Sequence, residues 1–160
     1  MGKVFGVDIS SAMLEITKRK LDKARLMDRV GLYCGDATSL PYDGNTFDAV
    51  FMSFTLELFD TPEIPIMLEE TKRVLKPGGR IALASMSKEN GESLLLRFYE
   101  WAHRKWPKYV DCRPIFLEQS LRDAGFYIRE KEKVWLFGLP CEIVIAVRKS
   151  LAPDQLRHLS

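Results

Sequence analysis

Two aspartates stand where their chemistry would matter. Asp8 closes the short apolar run Val4-Phe5-Gly6-Val7, and Asp36 follows Val30 to Tyr33 by way of Cys34-Gly35. A carboxylate at the carboxyl end of a strand in a doubly wound sheet can accept hydrogen bonds from both ribose hydroxyls of a nucleoside, which is the chemistry open to Asp8. Asp36 lies 28 residues later and ends the next strand, so it falls on the same rim and can receive the amino group of an adenine. Each also has a plainer reading. An aspartate ahead of a helix serves as a cap or as a partner of the helix dipole, and Gly35-Asp36 suits an Asx-type turn. Two carboxylates on one rim favour the nucleoside more than either does alone.

The elements that must position them follow from the pattern along the chain. After Asp8, Ser10-Ser11 supplies a helix N-cap, and a helix is expected from about Ser11 to Asp28. Leu14, Leu21 and Ala24 form its stripe, while Lys18, Arg19, Lys20, Lys23 and Arg25 make a solvated face. A strand from Val30 to Tyr33 ends at Cys34-Gly35-Asp36-Ala37, and Leu40-Pro41-Tyr42-Asp43-Gly44-Asn45 is rich in turn formers. Phe47 to Met52 is nearly continuous in apolar character, as in a strand covered on both faces. Asp60-Thr61-Pro62 opens a helix carrying Ile64, Met67, Leu68, Thr71, Val74 and Leu75, which Pro77-Gly78-Gly79 stops before a strand from Arg80 to Met86.

An amphipathic helix is expected from Glu92 to Lys105 and a short one from Phe116 to Asp123, with Gly125 as its left-handed cap. Phe126 to Phe137 and Cys141 to Arg148 are joined by only Gly138-Leu139-Pro140, too short for a helical crossover, so they form an antiparallel hairpin. The order predicts an α/β fold with helices on both faces of a Rossmann-like, mostly parallel sheet ending in that hairpin. Residues 1–148 make one domain and 149–160 a tail. An ordinary dinucleotide-binding fold has no need of a terminal hairpin, which counts against a nicotinamide dehydrogenase.

Composition bounds the rest. At 160 residues there is room for one domain of ordinary size, and a net charge of +2 gives little pull on phosphate backbones or acidic membranes, so no nucleic-acid partner is expected. No apolar stretch reaches the length of a membrane span, and the first residues lack a signal-peptide pattern, which makes the cytoplasm the expected compartment. Cys34, Cys112 and Cys141 form no CxxC pair and are odd in number, so a disulfide framework and a structural zinc site are both disfavoured and the three read as small core residues.

Gly6-Val7-Asp8-Ile9-Ser10, Gly35-Asp36-Ala37 with Leu40-Pro41, Phe47-Asp48-Ala49-Val50 and Arg73-Val74-Leu75-Lys76-Pro77-Gly78-Gly79-Arg80 occur in that order. The chain thereby resembles the class I S-adenosylmethionine-dependent methyltransferases, in particular the quinone-biosynthesis C-methyltransferases, over about residues 3 to 148. The resemblance implies S-adenosylmethionine as cofactor, with Asp8 on the ribose, Asp36 on the adenine amino group, the Ala37 N–H on the ring, and Ile9 or Met13 against the adenine face. It implies that Ser53, followed by Phe54, lies near the reactive methyl. Ser53-Phe54-Thr55-Leu56 stands where base and amide methylases of this fold carry an Asn-Pro-Pro-Tyr-like sequence, which favours a small-molecule acceptor.

Methyl transfer is an in-line displacement in which positioning supplies much of the acceleration, so no triad is required. His103 and Glu57 are the candidate bases, against structural readings of a helix-borne histidine and a capping or solvent-facing glutamate. Phe98, Tyr99, Trp101, Trp106 and Tyr109 either stack on a flat acceptor or fill the core. A glycine-rich loop about 20 residues before the ribose carboxylate is expected of such sites, and with the carboxylate at position 8 it falls outside this sequence together with the first strand. Either the flanking strands pair directly or another chain fills the gap, which gives two expectations: a homo-oligomer or partner chain, and, as the rival to an enzyme, a non-catalytic subunit.

Overall fold

The computed structural model of the protein describes residues 2–86, 115–136 and 139–149. The fold divides into two compact units, Met1–Tyr42 and Asp43–Ser160.

In the first unit, strand β1 (Val4–Asp8) runs parallel to β2 (Val30–Cys34), in register from Val4 opposite Val30 to Asp8 opposite Cys34. Helix α1 (Ser11–Ala24) connects them. Its start is the one the serines announce: Ser10 is extended and its hydroxyl accepts the Met13 N–H at 3.3 Å. Its end is four residues earlier than Asp28. Arg25 turns left-handed at φ 54° and ψ 45°, and the N–H groups of Arg25 and Leu26 donate to the carbonyls of Asp22 and Leu21, both at 3.0 Å, closing the helix. A 3-10 turn at Met27–Arg29 then leads into β2. The expected apolar stripe is thin. Leu14 and Leu21 are half-buried, Ala24 is exposed, and α1 has no buried residue. Gly31 lets the Phe5 ring lie across β2, since a Cβ there would come within 2.8 Å of it, and Phe5 meets Tyr42 edge to face at 5.5 Å.

The second unit holds a four-stranded sheet in the order β3-β4-β6-β5, where β3 is Phe47–Ser53, β4 Leu75–Met86, β5 Phe126–Leu136 and β6 Leu139–Arg148. β3 and β4 are parallel, and β6 is antiparallel to both β4 and β5, so the terminal hairpin forms as the short connection requires. Helix α2 (Glu63–Val74) begins with a reciprocal pair: the Asp60 N–H donates to Glu63 Oε2 at 3.0 Å, and the Glu63 N–H to the Asp60 carbonyl at 2.8 Å. It stops at Val74, ahead of the proline, because Leu75 is already extended and pairs with Phe47. The register then jumps to Ala49 opposite Arg80, leaving Lys76–Gly79 as a bulge in which Gly78 holds φ 75°. Helix α3 (Leu117–Asp123) ends beside Gly125 at φ 82°.

The core lies on one face of this sheet. Ile81 and Leu83 of β4 sit opposite Ala146 and Val144 of β6, and all four are buried against Met67, Leu68, Thr71 and Val74 of α2 and Leu117 and Leu121 of α3. Each fully buried Leu, Ile or Met contributes about 1.5–3 kcal/mol. Lys72 ties the helices together by donating to the Ala124 carbonyl at 2.8 Å.

One expectation fails here. β3 is not covered on both faces: no residue in it is buried and Phe51 is 73% exposed, and among the described residues β4 is its one neighbour. Of the two alternatives for the strands beside the expected first strand, direct pairing of β1 with β3 is not found among the described residues. Among the described residues β1 pairs with β2 alone and β3 with β4 alone.

Candidate functional site

The ends of β1 and β2 bring the two aspartates to neighbouring positions. Asp8 is opposite Cys34, and the Gly35 N–H donates to the Asp8 carbonyl at 3.1 Å, so the turn carrying Asp36 begins against the end of β1. Asp8 is half-buried and its Oδ1 accepts the Ser10 N–H at 2.8 Å; Asp36 is exposed and its Oδ1 accepts the Thr38 N–H at 2.8 Å. The capping and Asx-turn readings are therefore both realised, each through Oδ1. The Thr38 N–H, with its hydroxyl second, holds the Asp36 carboxyl below the usual carboxylate range.

The neighbouring apolar groups are open. Ile9 is 78% exposed and Met13 51%, both at the entry to α1 beside Asp8, and the Ala37 N–H makes no hydrogen bond among the described residues. This unit thus offers acceptors for hydroxyl and amino groups, an unbonded amide, and apolar surface suited to a flat ring. These are the recognition elements an adenosine needs, so the residues fit the cofactor implied by the sequence. Cys34 belongs to this rim and not to a core: it is exposed at the end of β2, and its thiol reaches the Ile9 carbonyl at 3.7 Å.

In the second unit, Ser53 is exposed at the end of β3. Phe54 holds a left-handed φ of 50°, unusual for a bulky residue, and its N–H donates to the Ala84 carbonyl at 2.8 Å. A 3-10 turn at Leu56–Leu58 follows and turns Glu57 inward. Glu57 neither caps a helix nor faces solvent. It is 1% exposed, and its Oε1 accepts the Met86 N–H at 2.7 Å at the end of β4.

Sequence reasoning missed Glu142. It is fully buried on β6 opposite Ser85, with the Lys131 Nζ at 3.4 Å. A charged residue within the apolar run Cys141 to Val147 was its signal. Next to it Cys141 is buried as expected, and burial, aided by the charge of Glu57, pushes its thiol upward. His103, the aromatic group from Phe98 to Tyr109, and Cys112 lie outside the described residues. Among the described residues no three His, Cys, Asp or Glu side chains are grouped to hold a metal, and no helix is long and apolar enough to cross a membrane.

A family model described as a methyltransferase domain matches residues 1–79. A demethylmenaquinone methyltransferase of Symbiobacterium thermophilum is 35% identical over 123 residues, which cover 77% of this chain and 47% of that protein. A demethylmenaquinone methyltransferase of Lactococcus lactis subsp. lactis is 32% identical over 153 residues, covering 82% and 59%. The chain thus spans about half the length of these curated relatives. The crystal structure of a SAM-dependent methyltransferase from Methanosarcina mazei matches with a TM-score of 0.78 at 18% identity, over 93% of this chain and 83% of that one, a likeness of fold. The strand-end motifs, the relatives and the sheet order agree: the chain belongs to the class I S-adenosylmethionine-dependent methyltransferase family.

Proposed function

We propose that the chain binds S-adenosylmethionine at the ends of β1 and β2 and serves the methylation of a small-molecule acceptor, a naphthalene-type quinol. The observation that carries this reading is the pair Asp8 and Asp36 on adjacent strand ends, each with one carboxylate oxygen held by a backbone N–H of the following turn. The relatives from Symbiobacterium and Lactococcus are named demethylmenaquinone methyltransferases, which supports an acceptor of this class.

S-adenosylmethionine supplies an electrophilic methyl on a sulfonium. The chain's part is to hold and orient. Asp8 accepts hydrogen bonds from the ribose hydroxyls and Asp36 from the adenine amino group, while Ala37 donates its N–H to the ring. Ile9 and Met13 cover the adenine faces, and Ser53 keeps the role toward the methyl that the family resemblance implies. His103 is a second candidate base beside Glu57. The reaction is placed in the cytoplasm, where the exposed Cys34 thiol stays reduced.

The test is transfer of labelled methyl from S-adenosylmethionine to 1,4-naphthalenediol kept reduced. Label in a 2-methyl product, reduced at least about tenfold by Asp8→Ala, is the expected outcome. No label from the wild-type chain contradicts it.

A further inference from the structure

The helices of the second unit pair their cations with acids three or four residues earlier: Lys72 with Glu69 and Arg73 with Glu70 in α2, and Arg122 with Glu118 in α3. Helix α1 is built differently. Lys18, Arg19, Lys20, Lys23 and Arg25 place five of the chain's 24 Lys and Arg within eight residues, where Asp22 is the one acid. All five are exposed, and among the described residues Arg19 alone of them has an ion pair, with Glu15 at 3.3 Å. Residues three, four and seven apart share a helix face, so Ile16, Arg19, Lys20 and Lys23 form one exposed strip in which Arg19 and Lys20 both stand beside Lys23. Like charges at these spacings cost helix stability. The helix dipole accounts for Lys23 in the last turn, but its effect does not reach Lys18, Arg19 and Lys20. Exposed apolar groups accompany the cations: Ile16, 43% exposed, lies in the strip, and Leu26, 38% exposed, follows the end of the helix.

We infer that this strip of α1 is a docking surface for an anionic lipid bilayer. Phosphate headgroups supply the negative charge that relieves the repulsion of Arg19 and Lys20 with Lys23. The stems of the cations lie along the interface while their charged ends meet the headgroups, and Ile16 and Leu26 enter it between them. Spread over the whole chain, a net charge of +2 attracts little at long range; gathered on one helix face, the cations act at contact, inside the distance over which salt screens. A nucleic-acid backbone also offers phosphates, but it has no apolar layer to receive Ile16 and Leu26, so the bilayer is the better match. Lys18 follows the capping Ser10 by about two helical turns, so the surface leaves Asp8 outside it.

Co-sedimentation of the chain with lipid vesicles tests the inference, using vesicles of phosphatidylcholine alone and of phosphatidylcholine mixed with an equal part of phosphatidylglycerol. Each cation held at an anionic bilayer surface contributes about fivefold to partitioning. Wild type is expected to bind the mixed vesicles at least about tenfold more tightly than the neutral ones, and less tightly as salt is raised. The double variant Lys20→Glu with Lys23→Glu, its helix content checked by circular dichroism, is expected to lose at least about tenfold in binding to the mixed vesicles. The wild-type comparison of the two vesicles needs no variant and decides the matter if the double variant fails to fold. Equal binding of wild type to both vesicles, undiminished binding by the folded double variant, or tighter binding of wild type to duplex DNA than to the mixed vesicles overturns the inference.

Discussion

Arg25 closes α1 in the left-handed conformation that glycine adopts at least cost, and its exposed side chain makes no bond among the described residues. Arg25→Gly is therefore expected to raise stability by about 1 kcal/mol, measured by urea unfolding; a loss of stability would contradict the strain. The aspartates show a different economy. At Asp8 and Asp36 the local turn and the ligand-accepting role coexist, because a carboxylate has two oxygens. The lowered value of Asp36 means that its charged form is the one the folded turn favours. That contribution is present above the ordinary carboxylate pKa and is lost as pH falls through the lowered one, so both turn and charge are intact at neutral pH. These residues were legible because strand, acid and turn are consecutive in sequence. The inward placement of Glu57 was not, since it depends on a left-handed phenylalanine and on a bond to Met86 at the end of another strand.

At the level of elements, the second unit carries the packing. Leu68 is fully buried between α2 and its neighbours, and Leu68→Ala should cost about 2–5 kcal/mol. Leu14→Ala, on a helix with no buried residue, should cost less than about 1 kcal/mol in the same denaturant titration. Comparable losses at the two sites would contradict the placement of the core. The hairpin, the parallel β3-β4 pair and the start of α1 could all be read from apolar runs, loop length and the capping serine. The end of α1 could not, because an arginine occupies the position where glycine would have announced it. The apolar run of β3 misled for a related reason: hydrophobic sequence reports what a strand can cover, whereas its exposure is decided by neighbours supplied from elsewhere.

For the molecule as a whole, β1 and β3 each have one pairing partner among the described residues, which leaves a row of backbone donors and acceptors on the other edge of each. Phe51 adds exposed apolar surface to β3. We propose that these edges are completed by further strands, and this 160-residue chain is expected to self-associate in light scattering; a monomer at all concentrations would contradict that. Family membership is independent of the outcome, since the motifs that establish it lie on strands that are formed. Cofactor binding is the claim on which the functional reading turns, and calorimetry with S-adenosylhomocysteine reaches it most directly. Wild type is expected to bind with micromolar affinity and Asp8→Ala about tenfold or more weakly, as loss of hydrogen bonds to a charged group requires. Absence of binding by the wild-type chain, or equal binding by Asp8→Ala, would contradict an adenosine site at the ends of β1 and β2.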